Sequence, residues 1–343
     1  MEAYLHTDHQ QIFELSKEKL NVYDEDLFDF LIEWKSENTH IQSITSGSTG
    51  TPKTIKLSKS SMLVSAKATN EYFNLNDSSS YFICLPVKYI AGKMMLARAF
   101  QGKGKIILAK ANAIPVKALK ENVSFCAMTP YQAMHSIKEH KAEMNLIDQL
   151  IIGGSPVNSV LAKELNNLKT ACYVTFGMTE TISHIALKPI ENTIYECLPH
   201  VSISSNDNQQ LIIDAPEIDV HKLVTNDIIS HTDEKHFKWI GRADNVINSG
   251  GIKLHPELIE EKLEKVLKDV LFFIDQVPHL ELGSQPVLII EEKALDEVIA
   301  KGIDLLEKFE IPKKIYKTER FFFAGNNKID RSKTKKAVIG KYR

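Results

Sequence analysis

The sequence has no close cysteine pair, no strong excess of charge and no long apolar run. Cys84, Cys126, Cys172 and Cys197 lie far apart among apolar neighbours, which predicts buried thiols in a reducing compartment rather than disulfides or zinc ligands. The 44 acidic and 42 basic residues nearly balance, which argues against binding to nucleic acid or a membrane surface. No apolar stretch approaches the length of a membrane span, and the first residues lack the pattern of a secretion signal. We therefore expect a cytosolic protein.

The composition is that of a globular protein of about two domains. Hydrophobic residues make up 43% and charged residues 25% of the 343 positions, so a sizeable core can be buried. Short apolar runs alternate with amphipathic segments between residues 81 and 176, which predicts an α/β fold built from parallel βαβ units. The predicted strands are 81–85, 105–108, 124–128, 150–152 and 171–176, and the predicted helices are 91–100, 116–121, 131–140 and 157–168.

The chain on either side of this region follows other patterns. Apolar positions between residues 10 and 35 predict one or two helices, and residues 184–240 resemble short hairpin strands. Pro256 begins a charged amphipathic helix. Strands at 270–274, 287–290 and 314–316, with a helix over 295–309, complete a second unit. We place the boundary near Asp244, which gives a large domain over 1–243 and a small, mobile α+β domain over 244–343.

A loop rich in hydroxyl groups and glycine follows an apolar lead-in. Residues 44–53 read Ile-Thr-Ser-Gly-Ser-Thr-Gly-Thr-Pro-Lys, and alternation on either side predicts that the loop joins two strands. Glycine lets the backbone approach a ligand closely, while successive N–H groups and hydroxyls suit phosphate oxygens. It is not a Walker A motif, because Thr51 and Pro52 separate Gly50 from Lys53. Taken alone, a phosphate loop and a polar hairpin loop both fit.

Further candidate residues follow two later strands, at the edge where open α/β sheets bind ligands. Gly154 and Ser155 follow one strand, and residues 176–180, Phe-Gly-Met-Thr-Glu, follow the next. Phe176 can stack on a base, and Gly177 allows close approach. Glu180 suits Mg²⁺, because a carboxylate beside a polyphosphate needs a cation between them. A glutamate favoured by a helix N-terminus is the alternative.

One acid and one base lie further along the chain. Asp227 and Arg242 could hold a ribose diol between an acceptor and a fork of donors. A surface salt bridge between them is the alternative.

In this order the motifs resemble those of the acyl-adenylate-forming superfamily, which includes acyl-CoA synthetases, luciferases and the adenylation domains of peptide synthetases. The matching segments are 45–53, 176–180, 241–244 with 250–251 and 256–260, and 327–331. The resemblance implies ATP and Mg²⁺ as ligands and CoA as co-substrate. The nucleotide-binding residues that it implies are Thr45, Ser46, Gly47, Ser48, Thr49, Gly50, Lys53, Gly154, Ser155, Phe176, Gly177, Asp227 and Arg242. It further implies that Thr179 contacts phosphate, Glu180 holds Mg²⁺ and Lys328 is the catalytic lysine.

The chain departs from this family pattern at several positions. Thr54, Asn226 and Asn327 stand where the family usually has glycine, although asparagine tolerates a left-handed backbone better than most residues. Lys88 and Tyr89 stand where an aromatic or histidine gate is usual, and either could be the gate. The phosphate loop begins near residue 45, so we expect a shortened N-terminal lobe.

Within the superfamily, residues 85–99 and 176–181 look most like the o-succinylbenzoate–CoA ligase family of menaquinone biosynthesis. That resemblance implies a small aromatic dicarboxylate as substrate, activated as an acyl-adenylate and transferred to CoA. Candidates for the acid site are Lys88, Tyr89, Lys93 and Arg98, and a helix packed with snorkelling Lys and Arg side chains explains the cations equally well. The alternatives are another acid, a carrier-protein thiol in place of CoA, and a nucleotide-binding regulator without catalysis.

Overall fold

The computed structural model describes residues 4–44, 54–117, 119–268, 270–323 and 329–339. The strands in chain order are β1 (Tyr4–Asp8), β2 (His40–Ile44), β3 (Thr54–Ser58), β4 (Ser80–Ile83), β5 (Lys105–Ala109), β6 (Val123–Met128), β7 (Ile147–Ile152), β8 (Ala171–Gly177), β9 (His184–Pro189), β10 (Ile194–Cys197), β11 (Ser202–Ser205), β12 (Gln210–Ala215), β13 (Val220–His231), β14 (His236–Arg242), β15 (Ile247–Ser249), β16 (Ile252–Leu254), β17 (Phe272–His279), β18 (Gly283–Glu291) and β19 (Lys314–Thr318).

The helices are α1 (Lys17–Asn21), α2 (Leu27–Lys35), α3 (Lys59–Tyr72), α4 (Ile90–Gly102), α5 (Pro130–Met144), α6 (Ser159–Asn166), α7 (Pro256–Glu264), α8 (Asp296–Ile303) and α9 (Arg331–Ile339). Local sequence explains several of their starts. The Ser58 hydroxyl caps α3, and Thr129 with Gln132 forms a capping box on α5. Pro256 is the first residue of α7, as predicted.

Twelve strands form the large sheet, in the order β1-β5-β4-β6-β7-β8-β9-β10-β14-β13-β12-β11. Strands β5, β4, β6, β7 and β8 are parallel neighbours, as the alternation of apolar runs and helices predicts. The other pairs in this sheet are antiparallel. The predicted α/β fold is therefore confirmed, and the hairpin strands after residue 183 continue the same sheet.

Helices cover both faces of the parallel strands. Met62 of α3 and Met94 of α4 pack in one apolar cluster with Tyr81 of β4. Ile137 of α5 belongs to a second cluster with Phe82. Because successive residues of a strand point to opposite faces, the two clusters lie on opposite sides of the sheet.

Five strands, β15 to β19, form a second sheet, in which β16, β15, β18 and β17 are neighbours and β19 pairs with β18. Ile259 of α7 and Ile299 of α8 pack on Ile274, whereas Val338 of α9 packs on Phe273. Helices thus cover both faces here as well. The proposed boundary at Asp244 falls between β14 of the large sheet and β15 of the small one.

Several parts of the sequence-based prediction differ from the structure. The helix predicted over 295–309 already ends at Ile303. Residues 17–35 do contain α1 and α2, but the preceding β1 was not predicted. The helix predicted over 116–121 is wrong, because residues 115–117 form a turn and 119–120 are irregular. One turn closed by the Leu119 N–H and the Val116 carbonyl, 2.8 Å apart, already buries both apolar side chains.

The four cysteines are buried and free, as predicted. None of the helices in the described part of the chain is long and apolar enough to cross a membrane.

Candidate active site

Most of the predicted site residues that the structure describes lie at one edge of the large sheet. Because β4, β6, β7 and β8 run in the same direction, their carboxyl ends share an edge. Lys88 and Tyr89 follow β4, Gly154 and Ser155 follow β7, and residues 176–180 stand at the end of β8. The fold therefore brings these three groups of residues together, although 92 positions separate Lys88 from Glu180.

An aromatic cluster holds Phe176 at this edge. Its ring packs edge-to-face against Tyr195 and Phe237, with centroids 5.8 and 5.2 Å apart. Gly177 comes next, and a Cβ atom there would lie 2.3 Å from the Ser183 carbonyl oxygen and 2.4 Å from the His184 Cα. Backbone atoms cannot give way to a side chain at that distance, so the return of the chain into β9 requires glycine.

A short 3₁₀ turn over Thr179–Thr181 leaves Glu180 exposed. The chain then reverses at Ile182, which has φ +64° and ψ −49°. The Ser183 N–H donates back to the Thr181 carbonyl at 2.6 Å, which makes a γ-turn that is rare for a β-branched residue. Such a conformation costs about 1–3 kcal/mol and is often found at functional sites. The sequence gives no local signal for this turn, and Thr181 and Ile182 were not predicted as site residues.

Asp227 and Arg242 are directly opposite each other on the antiparallel strands β13 and β14. Asp227 Oδ2 lies 3.7 Å from one terminal nitrogen of Arg242, and the other nitrogen donates to Asp244 at 3.2 Å. The Trp239 indole N–H donates to Asp227 Oδ1 at 2.9 Å. The side chain of Asp227 is only 10% exposed, whereas that of Arg242 is 40% exposed. The acid and the base were predicted from the sequence, whereas Trp239 was not.

Glycine is needed in the loop after β7 for two reasons. A Cβ atom on Gly153 would lie 2.3 Å from the Thr175 hydroxyl oxygen. That hydroxyl donates to the Ile152 carbonyl at 3.1 Å, so β8 fixes the loop from the side. Gly154 has φ +86° and no neighbour within 4 Å of a would-be Cβ, so conformation alone favours glycine there. Ser155 follows, half-buried.

The candidate cations of the acid site differ in their surroundings. Lys88 is exposed, and Tyr89 is 42% exposed. Lys93 is buried in α4, with Nζ 5.0 Å from the centre of the Phe30 ring. Burial lowers the pKa of Lys93, although acidic groups on and before α2, Glu33 most strongly, oppose the shift. Lys93 thus contacts the N-terminal helices.

Arg98 is the most deeply buried cation of the site. One of its terminal nitrogens donates to Ser183 Oγ at 3.0 Å and to His184 Nδ1 at 3.3 Å. Burial lowers the pKa of Arg98 to about 10, and no carboxylate among the described residues is within 4.0 Å of its nitrogens. Its Nε also has no partner in that part of the chain, nor does the hydroxyl of Ser65. A buried guanidinium without a counter-ion is a binding feature for an anion.

His184 is neutral in this arrangement. Burial and the nearby Arg98 hold the pKa of His184 well below its usual range. Because Nδ1 accepts from Arg98, the ring proton is on Nε2, 3.3 Å from the Thr69 hydroxyl. Arg98, Ser183, His184 and Thr69 thus form a network of one cation and neutral groups, without an acid. Ser183 and His184 of this network directly follow the γ-turn at Ile182.

Several predicted residues lie outside the described part of the chain. They are Thr45, Ser46, Gly47, Ser48, Thr49, Gly50, Lys53 and Lys328. Their flanks are described: Ile44 of β2 and Thr54 of β3 are partners in an antiparallel pair, which confirms that residues 45–53 join two strands. Phe323 and Ile329 likewise form a β-bridge on either side of 324–328.

The donor set at this edge suits Mg²⁺ better than a structural metal. No group of three or more His, Cys, Asp or Glu side chains within the described ranges could hold a metal ion. Mg²⁺ in ATP-dependent sites is bound by one or two carboxylates together with phosphate oxygens and water. The single exposed carboxylate of Glu180 fits that kind of site.

Comparison with known proteins gives one family match. A model of the family described as AMP-binding enzyme matches residues 14–220. The 2-succinylbenzoate–CoA ligase of Salmonella typhimurium is 22% identical over 302 residues, which cover 82% of this chain and 65% of that one. The chain thus spans about two thirds of the length of such relatives.

Two solved structures have similar folds. An acyl-CoA synthetase (AMP-forming)/AMP-acid ligase II-like protein from Dyadobacter fermentans is 29% identical, with a TM-score of 0.67, over 99% of this chain and 100% of that one. The o-succinylbenzoate–CoA synthetase of Bacillus subtilis, in complex with ATP and magnesium, is 20% identical with a TM-score of 0.71. That match covers 86% of this chain and 69% of the other.

Proposed function

The chain belongs to the AMP-binding enzyme family, and we propose that it is an AMP-forming ligase that activates a carboxylic acid with ATP and transfers the acyl group to CoA. The observation that carries the proposal is the Asp227–Arg242 pair, held across β13 and β14 by register and by the Trp239 indole. A carboxylate acceptor beside guanidinium donors suits the two hydroxyls of a ribose. This pair is therefore the proposed ribose site.

The remaining nucleotide contacts are proposed from residue chemistry and from the family resemblance. We assign adenine to Phe176 with Gly154 and Ser155, and the phosphates to residues 45–53 and Thr179. Glu180 would hold Mg²⁺, which when bound offsets negative charge on the phosphate oxygens. This division gives each part of ATP a group of matching chemistry.

Two half-reactions account for the products. An oxygen of the substrate carboxylate attacks the α-phosphorus and pyrophosphate leaves, which yields an acyl-adenylate. The thiol of CoA then attacks the acyl carbonyl carbon and AMP leaves. Lys328 is proposed to neutralise charge in the first step only, since the small domain would rotate about Asp244 between the two.

For the acid we propose a small aromatic dicarboxylate such as o-succinylbenzoate. Arg98 supports this assignment, because it is a buried cation for which the described residues supply no carboxylate. The second carboxylate of such an acid would complete that pair. Lys93 is already engaged with Phe30, and Lys88 is exposed to water, where an ion pair is worth little.

The decisive experiment is acid-dependent exchange of labelled pyrophosphate into ATP, with a panel of acids, followed by CoA consumption. We expect o-succinylbenzoate to support both reactions better than acetate, a long-chain fatty acid or an amino acid. Exchange without CoA consumption would indicate transfer to a carrier-protein thiol. No exchange with any acid would refute catalysis.

Two variants test the acid site. Arg98→Gln should raise the KM for o-succinylbenzoate about 10- to 100-fold, the range for a lost hydrogen bond to a charged group. The KM for a monocarboxylate that the wild type accepts should stay the same, which also shows that the variant is folded. Lys88→Gln removes a cation from the same edge and should change neither value. If Lys88→Gln raised the KM for o-succinylbenzoate and Arg98→Gln did not, the acid would be assigned to Lys88 instead.

A further inference from the structure

The loop after β4, residues 84–89, is fixed by contacts from three elements. Gln132 of α5 donates to the Cys84 carbonyl at 3.0 Å. Gly92 of α4 packs so closely that a Cβ atom there would lie 2.3 Å from the Pro86 carbonyl oxygen. The third contact comes from the turn between α1 and α2, where Asp24 accepts from the Val87 N–H at 2.7 Å. Three independent anchors on so short a loop indicate that its backbone position matters.

Asp24 uses both of its carboxylate oxygens. Oδ2 accepts from the N–H of Val87, and Oδ1 accepts from the N–H of Asp26 at 2.9 Å. The charged groups that face Asp24 are Asp26 at the start of α2 and Lys93 of α4. Val87 is 1% exposed, so water cannot replace the carboxylate as the partner of its N–H. The bond joins residues 63 positions apart.

The anchored residue directly precedes two exposed residues that stand where an aromatic or histidine gate is usual in the family. Val87 is buried, whereas Lys88 and Tyr89 reach solvent at the carboxyl end of β4. We propose that Asp24 is a positioning residue, which by fixing the Val87 N–H holds Tyr89 in place as the gate of the proposed acid site. This inference rests on the proposed function. It gives the N-terminal turn a role in recognition of the acid.

Asparagine cannot replace Asp24 in this role. Its side chain has one oxygen, so only one of the two N–H groups keeps an acceptor, and its NH₂ group faces the other. Asp26→Asn is a matched control, because it makes the same change of charge two residues away and also beside Lys93. Asp26 begins α2 without a side-chain capping bond, so that variant leaves the Val87 contact intact.

Hydrogen exchange tests the contact without reference to activity. Peptides that contain the Val87 amide, followed by mass spectrometry, should exchange faster in Asp24→Asn than in the wild type and in Asp26→Asn. Equal exchange in all three proteins would overturn the inference, because the Val87 N–H would then not depend on Asp24.

Kinetics test the role. In the pyrophosphate exchange assay, Asp24→Asn should raise the KM for the acid about tenfold, which is the effect of losing one hydrogen bond to a charged group. The KM for ATP should change less than twofold, and Asp26→Asn should match the wild type in both values. Faster hydrogen exchange at Val87 with an unchanged KM for the acid would overturn the positioning role. If the wild type showed no acid-dependent pyrophosphate exchange, the proposed function would be refuted instead. Hydrogen exchange would still decide whether Asp24 fixes the loop.

Discussion

Trp239→Phe tests the proposed ribose site without touching either charged residue. The substitution keeps an aromatic ring in place but removes the indole N–H, which donates to Asp227 Oδ1 at 2.9 Å. The guanidinium of Arg242 is further away, 3.7 Å from Oδ2, a distance beyond a hydrogen bond. The indole is therefore the stronger restraint on the orientation of the carboxylate.

The magnitude follows from the low exposure of Asp227. A hydrogen bond to a charged group contributes about 1.5–3 kcal/mol to stability, and a side chain that is 10% exposed gains little from water in exchange. We expect the free energy of unfolding to fall by about 1.5–2 kcal/mol, since Arg242 can compensate in part. If the misplaced carboxylate loses a comparable share of its ribose contact, the KM for ATP rises about tenfold.

Trp34→Phe is the matched control. The sequence has two tryptophans, so each variant keeps one as a fluorescent reporter of urea unfolding. Trp34 packs on Phe30 and Phe100 with ring centroids 5.7 and 5.4 Å away. Its substitution should lower stability and leave the KM for ATP unchanged. An unchanged KM for ATP in Trp239→Phe, measured by pyrophosphate exchange, would refute the role of Trp239 in orienting Asp227.

Three other variants test the site and its support. Gly177→Ala places a methyl group 2.3 Å from the Ser183 carbonyl oxygen, and we expect a loss of about 1–3 kcal/mol in urea unfolding; wild-type stability would show that β9 can move aside. Glu180→Gln should keep the fold but need more Mg²⁺ for exchange, and a wild-type rate at limiting Mg²⁺ would exclude Glu180 as the metal ligand. Glu260→Gln concerns pH: burial raises the pKa of Glu260 from 4.5 to about 7, against the opposing Arg331. The folded protein then holds a proton that the unfolded chain has lost between these values, so wild-type stability should fall as the pH rises through that range. If the free energy of unfolding in urea changed with pH equally for Glu260→Gln and the wild type, the raised pKa of Glu260 would be contradicted.

The parallel part of the large sheet could be predicted because its information is local. Each strand from β4 to β8 is a short apolar run, and the segments between most of them carry a helical pattern that one window of sequence displays. Pro256 marks the start of α7 in the same local way. The failure at 116–121 shows the limit of this information, since two apolar residues at helical spacing, Val116 and Leu119, are buried equally well by one turn.

Contacts between distant segments could not be predicted from such windows. β1 pairs with β5, so that Tyr4 is the partner of Ala109, and nothing near residue 4 marks it as a strand of this sheet. Likewise, Asp24 meets Val87 only after the chain has folded. Sequence motifs identified Asp227 and Arg242 because each has a chemical type that suits ribose. Trp239 was missed, since an aromatic residue in a strand is ordinary and only the structure shows where its N–H points.

The surface between the two sheets bears on the proposed rotation about Asp244. Within the described ranges, the apolar clusters of the large sheet contain residues before Asp244, and those of the small sheet contain residues after it. Polar contacts that cross this point include those of glutamates of α7. Glu264 accepts from the Ser159 N–H at 3.3 Å, and Glu257 covers Gly241.

A third glutamate, Glu261, attracts Lys188 of β9. Glu257, Glu261 and Glu264 are four and three positions apart, so they share one face of α7. Glu261 is exposed, whereas Glu257 and Glu264 are half-buried. Breaking their polar contacts therefore costs more than the about 0–1 kcal/mol of an exposed ion pair, but it uncovers no apolar core. The free energy of rotation is therefore within the range that ATP and the acyl-adenylate can supply by binding the two positions of the small domain with different affinities. A reaction in two half-steps on one site requires such a rotation.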